Sequence, residues 1–194
     1  GRLMRNVTRA ESPAWLKDRL RLAGLRTLNN LVDITNYILL HFGQPMHAFD
    51  YDRIGDRRIE VKRAETGQTF TTLDGVERRL RDSDLLICDG NGPVALAGVM
   101  GGAGSEISPA TTNVFLECAF FDPVGIRRTS KRLGLSTESS YRFERGVDPA
   151  AGLEDALDTA AEMIRELGGG EVVGGVVDEY PHPLKPKSIT IRPA

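Results

Sequence analysis

The feature that most constrains this chain is a glycine-rich segment followed closely by a strand-like run with a single charge. Four glycines fall within the seven residues 98–104, so the backbone there is nearly bare and another molecule can approach it closely. The run 114–120 then carries Glu117 among apolar residues. If buried, this carboxylate needs a partner or a ligand, because burying an unpaired charge is costly. The same pattern also fits a flexible hairpin and an edge strand whose Glu117 faces solvent.

Composition excludes several classes of protein. Hydrophobic residues make up 40% and charged residues 27% of the 194 residues, as in an ordinary globular protein, and no apolar run is long enough for a membrane span. The net charge of -2 argues against a dedicated nucleic-acid-binding domain, which would usually be basic. We interpret Cys88 and Cys118 as reduced core residues of a cytoplasmic protein, with a disulfide as the alternative. With only these two Cys and three His, no zinc site is predicted.

The order of helical and strand-like patterns predicts an α+β fold. Helices are expected from Ser12-Pro13 to Gly24, from Asn30 to Phe42, from Asp122-Pro123 to Gly134, and from Asp148-Pro149 to Gly168. Strands are expected at 58–64, 114–120 and 172–180. Hairpins are expected at 70–78, turning at Asp74-Gly75, and at 85–97, turning around Gly90-Asn91-Gly92. The resulting architecture is largely antiparallel sheets in a layered sandwich with helices at both ends. The sequence shows no Ser-His-Asp or Cys-His arrangement that would indicate covalent catalysis.

The two ends of the chain suggest a piece of something longer. The chain begins with Gly1 rather than Met, and 188–192 alternates like the first strand of a further unit. We therefore expect residues 1–187 to form one module, of one body or two intertwined subdomains. Residues 188–194 are expected to start the next domain.

A basic segment follows the Glu117 strand. Between Ile126 and Arg145 the chain holds six basic residues against only Glu138 and Glu144. We interpret the segment as a solvated helix face, with Glu144 joining Arg142 and Arg145 in an internal ion-pair network. Contact with RNA is the alternative, and most phosphate contacts would then come from elsewhere.

Six motifs stand in a fixed order along the chain. They are Asn30–Tyr37, Gly43–Asp50, Leu73–Gly75, Ala97–Gly102 with Ser105-Glu106, Leu116-Glu117, and Thr137–Asp148. In this order and at these spacings they resemble the editing module of the β subunit of bacterial phenylalanyl-tRNA synthetase. The resemblance covers the chain from about residue 5 to 180.

The resemblance implies that the chain hydrolyses tyrosyl-tRNA(Phe) made in error. Tyrosine is phenylalanine plus one hydroxyl, and an apolar pocket rejects an added hydroxyl only about 10²-fold. A second site that requires the hydroxyl supplies the missing discrimination. The resemblance further implies an (αβ)₂ parent in the cytoplasm that uses ATP and Mg, the acceptor end of tRNA(Phe) as partner, and no cofactor or membrane for the module itself.

The resemblance also assigns roles to single residues. Glu117 matches the residue that binds the tyrosine hydroxyl. Small residues around the amino-acid pocket are matched by Ala97, Gly98 and Gly101, and a segment of the pocket wall is matched by Thr137 and Ser139. Polar residues near the ester and the terminal adenosine are matched by His47, Thr35 and Asn36. Many relatives have Ala at the position of Ser139. Judged by its neighbours alone, His47 also fits a hydrogen-bonded packing residue.

No nucleophilic side chain is evident, so attack by a bound water is expected. Backbone N–H groups of the glycine segment are candidate oxyanion donors, and His47 is expected to position the water or shuttle a proton. Two other functions stay open at this point. One is a catalytically silent module that positions RNA or packs against a partner subunit. The other is a separate RNA- or DNA-binding domain, which the net charge disfavours.

Overall fold

The computed structural model describes residues 1–104, 106–149, 151–184 and 188–192. Its helices are α1 (Ala14–Leu22), α2 (Asn30–Phe42), α3 (Pro123–Leu133), α4 (Glu138–Phe143) and α5 (Ala151–Gly168). Its strands are β1 (Arg2–Arg5), β2 (Met46–Asp50), β3 (Glu60–Arg63), β4 (Thr69–Thr71), β5 (Glu77–Arg79), β6 (Leu85–Asp89), β7 (Gly92–Leu96), β8 (Met100–Gly101), β9 (Val114–Cys118) and β10 (Glu171–Val172). All strand pairs are antiparallel, so the predicted α+β class is confirmed.

The first sheet has the order β10-β1-β9-β2 and lies between two cores. Successive side chains of a strand point to opposite faces. Ala48, Val114 and Leu116 pack against helices α1, α2 and α5, whereas Phe49 and Phe115 pack on the other side, against the second sheet. This sheet therefore separates a helical layer from a β-rich layer.

The second sheet, β3-β6-β7-β8, and the β4-β5 hairpin form the β-rich layer. Leu86 and Leu96 of this sheet are almost completely buried and share a core with Ile126 of α3 and Phe143 of α4. The predicted hairpins at 70–78 and 85–97 are confirmed. The glycine segment begins as a tight turn and continues as β8, which pairs with β7.

The start of α1 differs from the prediction. Pro13, rather than Ser12, is the N-cap, and no side chain caps this helix. The Ser12 hydroxyl instead donates a hydrogen bond to the Asp33 carboxylate of α2, at 2.6 Å. The buried carboxylate gains more from this bond than an exposed N-terminus would, which is why Ser12 ties two helices together.

The cap of α2 lies one residue earlier than predicted. The Asn29 side chain accepts a hydrogen bond from the Val32 N–H at 3.1 Å. Asn30 is the first helical residue, and its side chain donates to the carbonyl groups of Thr8 and Leu167 at 2.9 and 3.2 Å. Because two asparagines stand in sequence, the pattern alone does not separate the cap from the bridging residue.

Three further differences concern strands. Residues 46–50 form β2, although the sequence indicated only a non-helical segment after Pro45. The strand predicted at 172–180 is limited to β10, because Gly174 and Gly175 follow and Gly175 has φ +92°. The described residues 188–192 contain no strand. Ser105 and the expected domain boundary at residue 187 lie outside the described residues.

Cys88 and Cys118 are both free thiols, as predicted. The expected ion-pair network around Glu144 is wrong in one respect. Glu144 pairs with Arg145, but Arg142 pairs with Glu138 one helical turn away, each at 2.6 Å. Within the ranges that the structure describes, no helix is long and apolar enough to cross a lipid bilayer.

Candidate functional site

Glu117 and His47 are neighbours across two adjacent strands. In the antiparallel pairing of β2 with β9, the Cα of His47 stands opposite that of Glu117, and Phe49 stands opposite Phe115. Side chains directly opposite each other have their Cβ atoms about 4.5–5.5 Å apart. Because alternate residues share a face, both groups emerge from the side of the sheet that faces the β-rich layer.

A cleft opens between this sheet face and the glycine segment. Its enclosed volume is about 70 Å³, which rises to about 430 Å³ when the part open to solvent is counted. Its lining includes five of the predicted site residues, His47, Gly98, Gly101, Glu117 and Ser139, and the apolar residues Pro45, Met46, Phe121 and Phe143. His47, Glu117 and Ser139 therefore face a cavity whose other lining residues are apolar side chains and glycines.

Gly98 occupies a position that only glycine fits. Its φ is +66°, and a Cβ built on it would lie 2.8 Å from Ile126 Cδ1 and 2.9 Å from Phe121 Cδ2. Gly101 is a milder case, since a Cβ there would lie 3.0 Å from the movable end of Leu73 and 3.5 Å from His47 Cε1. The two glycines let the hairpin backbone lie close to the ring of Phe121 and to the imidazole of His47.

The rings of Phe121 and Phe143 form an aromatic wall of the cleft, and α4 holds this wall in place. Phe121 and Phe143 meet edge to face, with ring centroids 5.1 Å apart. Thr137 caps α4, and its hydroxyl donates a hydrogen bond to the Val99 carbonyl at 2.7 Å. This bond fixes the first turn of α4, which presents Ser139, against the glycine segment.

The Glu117 carboxyl group has a strongly raised pKa. Burial raises its pKa from the usual 4.5 to about 7, because the ionised form loses contact with water. No group in the described part of the chain donates a hydrogen bond to it. A partly buried carboxyl group without a partner is the arrangement that a ligand hydroxyl would complete.

His47 stays neutral at physiological pH. Burial lowers its pKa from 6.5 to about 4, and its ring packs edge to face on Phe49 with centroids 4.3 Å apart. Its Nε2 atom is buried and finds no hydrogen-bond partner among the described residues. A water molecule or a substrate hydroxyl that reached this nitrogen would supply the missing hydrogen bond.

Four predicted site residues lie outside the lining of the cleft. Ala97 is buried behind the hairpin, and Thr137 acts through the Val99 carbonyl. Thr35 and Asn36 belong to α2, and the buried Thr35 hydroxyl donates to the Val32 carbonyl at 2.8 Å. Contact of Thr35 or Asn36 with a tRNA stays a prediction.

Sequence reasoning missed Pro45, Met46, Phe121 and Phe143 as parts of the lining. Pro45 and Met46 directly precede His47, so the motif around the histidine contained the signal. Phe121 and Phe143 resembled ordinary core residues, and only the fold shows that their rings also wall a cavity.

A second cleft, of about 710 Å³, lies near the other end of β2. Its two carboxylates, Asp50 and Asp89, already accept hydrogen bonds from the protein. Asp50 accepts from the Thr111 hydroxyl at 2.6 Å, and Asp89 accepts from the N–H groups of Gly55, Asn91 and Gly92 at 2.8–3.0 Å. These bonds hold loops in place, so the smaller cleft is the candidate site. The described residues contain no cluster of three or more His, Cys, Asp or Glu suited to a metal ion.

Comparison with known proteins agrees with the resemblance seen in the motifs. The chain is 56% identical over 181 residues, 93% of its length, to a phenylalanine–tRNA ligase beta subunit of Geobacter metallireducens. It is 56% identical over 191 residues to that of Salinibacter ruber and 52% identical over 194 residues to that of Oleidesulfovibrio alaskensis, which cover 98% and 100% of the chain. The chain spans 22–24% of the length of these relatives. The family model of the B3/4 domain matches residues 1–169, and the chain therefore belongs to the B3/4 domain family.

Proposed function

We propose that this chain is the editing domain of a phenylalanine–tRNA ligase β subunit and that it hydrolyses tyrosyl-tRNA(Phe). The observation that carries the proposal is the Glu117 carboxyl group, which lacks a partner in an aromatic-walled cleft beside the unpaired Nε2 of His47. The relatives, which are phenylalanine–tRNA ligase beta subunits, indicate the parent enzyme.

The cleft suits selection of tyrosine over phenylalanine. The rings of Phe121 and Phe143 offer an apolar wall to an aromatic side chain, and Glu117 accepts a hydrogen bond from the phenol O–H. This bond is charge-assisted when Glu117 is ionised, and such bonds are about twice as strong as neutral ones. With phenylalanine in the cleft, Glu117 would stay desolvated and unpaired. Sites built to bind a substrate hydroxyl reject the analogue without it by about 10⁴–10⁵.

Hydrolysis proceeds by addition of a water molecule to the ester carbonyl carbon. The C–O bond to the ribose then breaks, the carbonyl carbon keeps the water oxygen as a carboxylic acid, and a proton passes to the leaving ribose oxygen. Gly98 lines the cleft and its N–H donates to no group in the described residues, so this N–H is a candidate donor to the developing oxyanion.

The neutral His47 positions the attacking water through Nε2. With a pKa of about 4 it is a weak base, so orientation contributes more than proton abstraction. His47→Ala should therefore weaken hydrolysis without abolishing it. Complete loss in a correctly folded variant would show that His47 is an obligatory acid or base.

The same proposal implies the enzyme to which the domain belongs. The β subunit works with an α subunit in an (αβ)₂ enzyme of the cytoplasm that charges phenylalanine onto its tRNA with ATP and Mg. The editing domain itself needs no cofactor. It receives the acceptor end of tRNA(Phe) after a charging error.

The decisive experiment compares wild-type β subunit with Glu117→Ala, each assembled with the α subunit. Release of tyrosine from tyrosyl-tRNA(Phe) and of phenylalanine from phenylalanyl-tRNA(Phe) is measured with each enzyme. Wild type should clear the tyrosyl ester and spare the phenylalanyl ester, and Glu117→Ala should lose at least 10²-fold of this preference. Glu179→Ala, which changes an exposed glutamate far along the chain, is the matched control and should behave as wild type. If wild type spares both esters, the domain is a packing or RNA-positioning module and the proposal fails.

A further inference from the structure

We infer that three cations on the outer face of α3 bind the sugar-phosphate backbone of the RNA that presents its ester to the cleft. These residues, Arg127, Arg128 and Lys131, are named here the α3 basic face. The inference rests on the proposed function and adds to it the surface that holds the body of the substrate.

The geometry of α3 places the three cations together. Successive residues of an α-helix are about 100° apart, so Arg127, Arg128 and Lys131 fall within an arc of about 100°. All three are exposed, whereas Ile126 and Thr129 on the opposite side are buried. The cations thus form one continuous surface that is not used in the packing of the fold.

The charge of this face is not neutralised by the protein. Helix α3 contains no acidic residue. Its fourth cation, Arg132, pairs with the buried Asp84, but none of the three exposed cations makes an ion pair within the described ranges. The nearby Glu138 and Glu144 each pair with an arginine that follows them in sequence. In a chain with a net charge of -2, this is a local positive surface.

The α3 basic face lies beside the candidate site. Phe121, two residues before α3, lines the cleft, and Ile126 packs directly behind Gly98 of the same cleft. Arg127 is the next residue after Ile126 and points away from the core. The face lies across α3 from the cleft, about one helix diameter of 10–12 Å away, so the RNA reaches it where the substrate leaves the cleft around α3.

The cleft itself has no means of holding a polyanion. Among the residues that the structure describes, no lysine or arginine contributes to its lining. Protein–nucleic acid complexes gain most of their affinity from phosphate contacts, which position the nucleic acid without reading its sequence. The cleft therefore recognises the amino acid, and the α3 basic face binds the RNA backbone.

The test uses the full β subunit assembled with its α subunit, with the triple variant Arg127→Gln, Arg128→Gln, Lys131→Gln. The matched control, Arg9→Gln, Arg21→Gln, Arg26→Gln, removes three exposed cations from the N-terminal, helical side of the fold. Deacylation of tyrosyl-tRNA(Phe) is measured at 50 and 200 mM salt. Hydrolysis of 3′-O-tyrosyl adenosine, which has no phosphate, is measured beside it.

The salt dependence gives the expected magnitude. For a slope of about 0.9 per phosphate contact, a fourfold rise in salt weakens binding about 3.5-fold per contact. If two contacts are lost, the increase in KM for tyrosyl-tRNA between 50 and 200 mM salt should be about tenfold smaller in the variant than in wild type. At 50 mM salt its KM should be raised about tenfold or more. Its kcat, and its hydrolysis of tyrosyl adenosine, should match wild type.

Three results would overturn the inference. A wild type that hydrolyses neither ester refutes the proposed function, and the inference with it. If wild type is active and the triple variant has the same KM and salt slope as wild type, the inference alone is refuted. The same holds if the control variant changes KM and salt slope as much as the triple variant does. A variant that loses assembly with the α subunit but keeps its salt slope assigns the α3 basic face to a protein partner.

Discussion

Replacing Glu117 with glutamine should stabilise the folded chain, and the gain should grow with pH. The usual pKa of 4.5 describes the unfolded chain, whereas burial raises the folded value to about 7. Between these values the folded state holds a proton that the unfolded state has lost. Wild-type stability therefore falls as the pH rises from 4.5 to about 7, and the glutamine variant lacks this loss.

The size of the effect follows from the two pKa values. One pKa unit corresponds to about 1.4 kcal/mol, so the full difference sets an upper limit of about 3.5 kcal/mol. The side chain is only partly buried, and water screens part of the penalty, so about 2 kcal/mol is expected above pH 7.5. Near pH 4.5 the two proteins should differ only by a constant offset from the amide itself.

Urea unfolding of the 194-residue chain at several pH values between 5 and 8 measures this difference. His47, whose pKa is shifted by burial alone, contributes equally to both proteins and cancels. Glu179→Gln, at an exposed position, is the matched control and should show a difference independent of pH. A Glu117→Gln difference that stays constant from pH 5 to 8 would refute the idea that this carboxyl group is desolvated without a partner.

Three further predictions concern other parts of the site and the fold. The pH profile of kcat for tyrosyl-tRNA should contain no inflection near 6.5 that disappears in His47→Ala, because burial lowers the pKa of His47 to about 4, and such an inflection would contradict this environment. Gly98→Ala should cost more than about 2 kcal/mol in urea unfolding and abolish tyrosyl ester hydrolysis, since its φ is +66° and the new methyl would displace Phe121; normal stability would refute the close packing. Asn29→Ala should cost about 1 kcal/mol without changing activity, because the Val32 N–H loses its cap; equal stability in urea unfolding would show that water replaces the cap.

Much of the fold could be predicted from local patterns. Helix α3 was bounded correctly because Asp122-Pro123 and Gly134 carry start and stop signals within the helix itself. The limits of α1 and α2 were less certain, because Ser12 and Asn30 make long-range hydrogen bonds that no local pattern records. Strand β2 was missed for a similar reason, since its five residues gain their hydrogen bonds from β9, far along the chain.

The candidate site was predictable in its composition and not in its assembly. Glu117 stood out as a charge on an apolar strand, and the motif around His47 marked the histidine. Their direct pairing across β2 and β9 depends on register, which short sequence patterns leave open. The same limit explains Phe121 and Phe143, whose apolar character gave no sign that one side of each ring would face a cavity.

The pairing of His47 with Glu117 in a single strand ladder has a consequence for how this site can change. A slip of one residue between β2 and β9 would turn a strand's whole set of side chains to the other face of the sheet. One such error would remove either group from the cleft and bury it against the helical layer. Loops around the cleft can vary in length without this cost, whereas a single insertion within either strand cannot. Accidental loss of the site is therefore expected to be abrupt, because one register slip separates His47 from Glu117 in a single step.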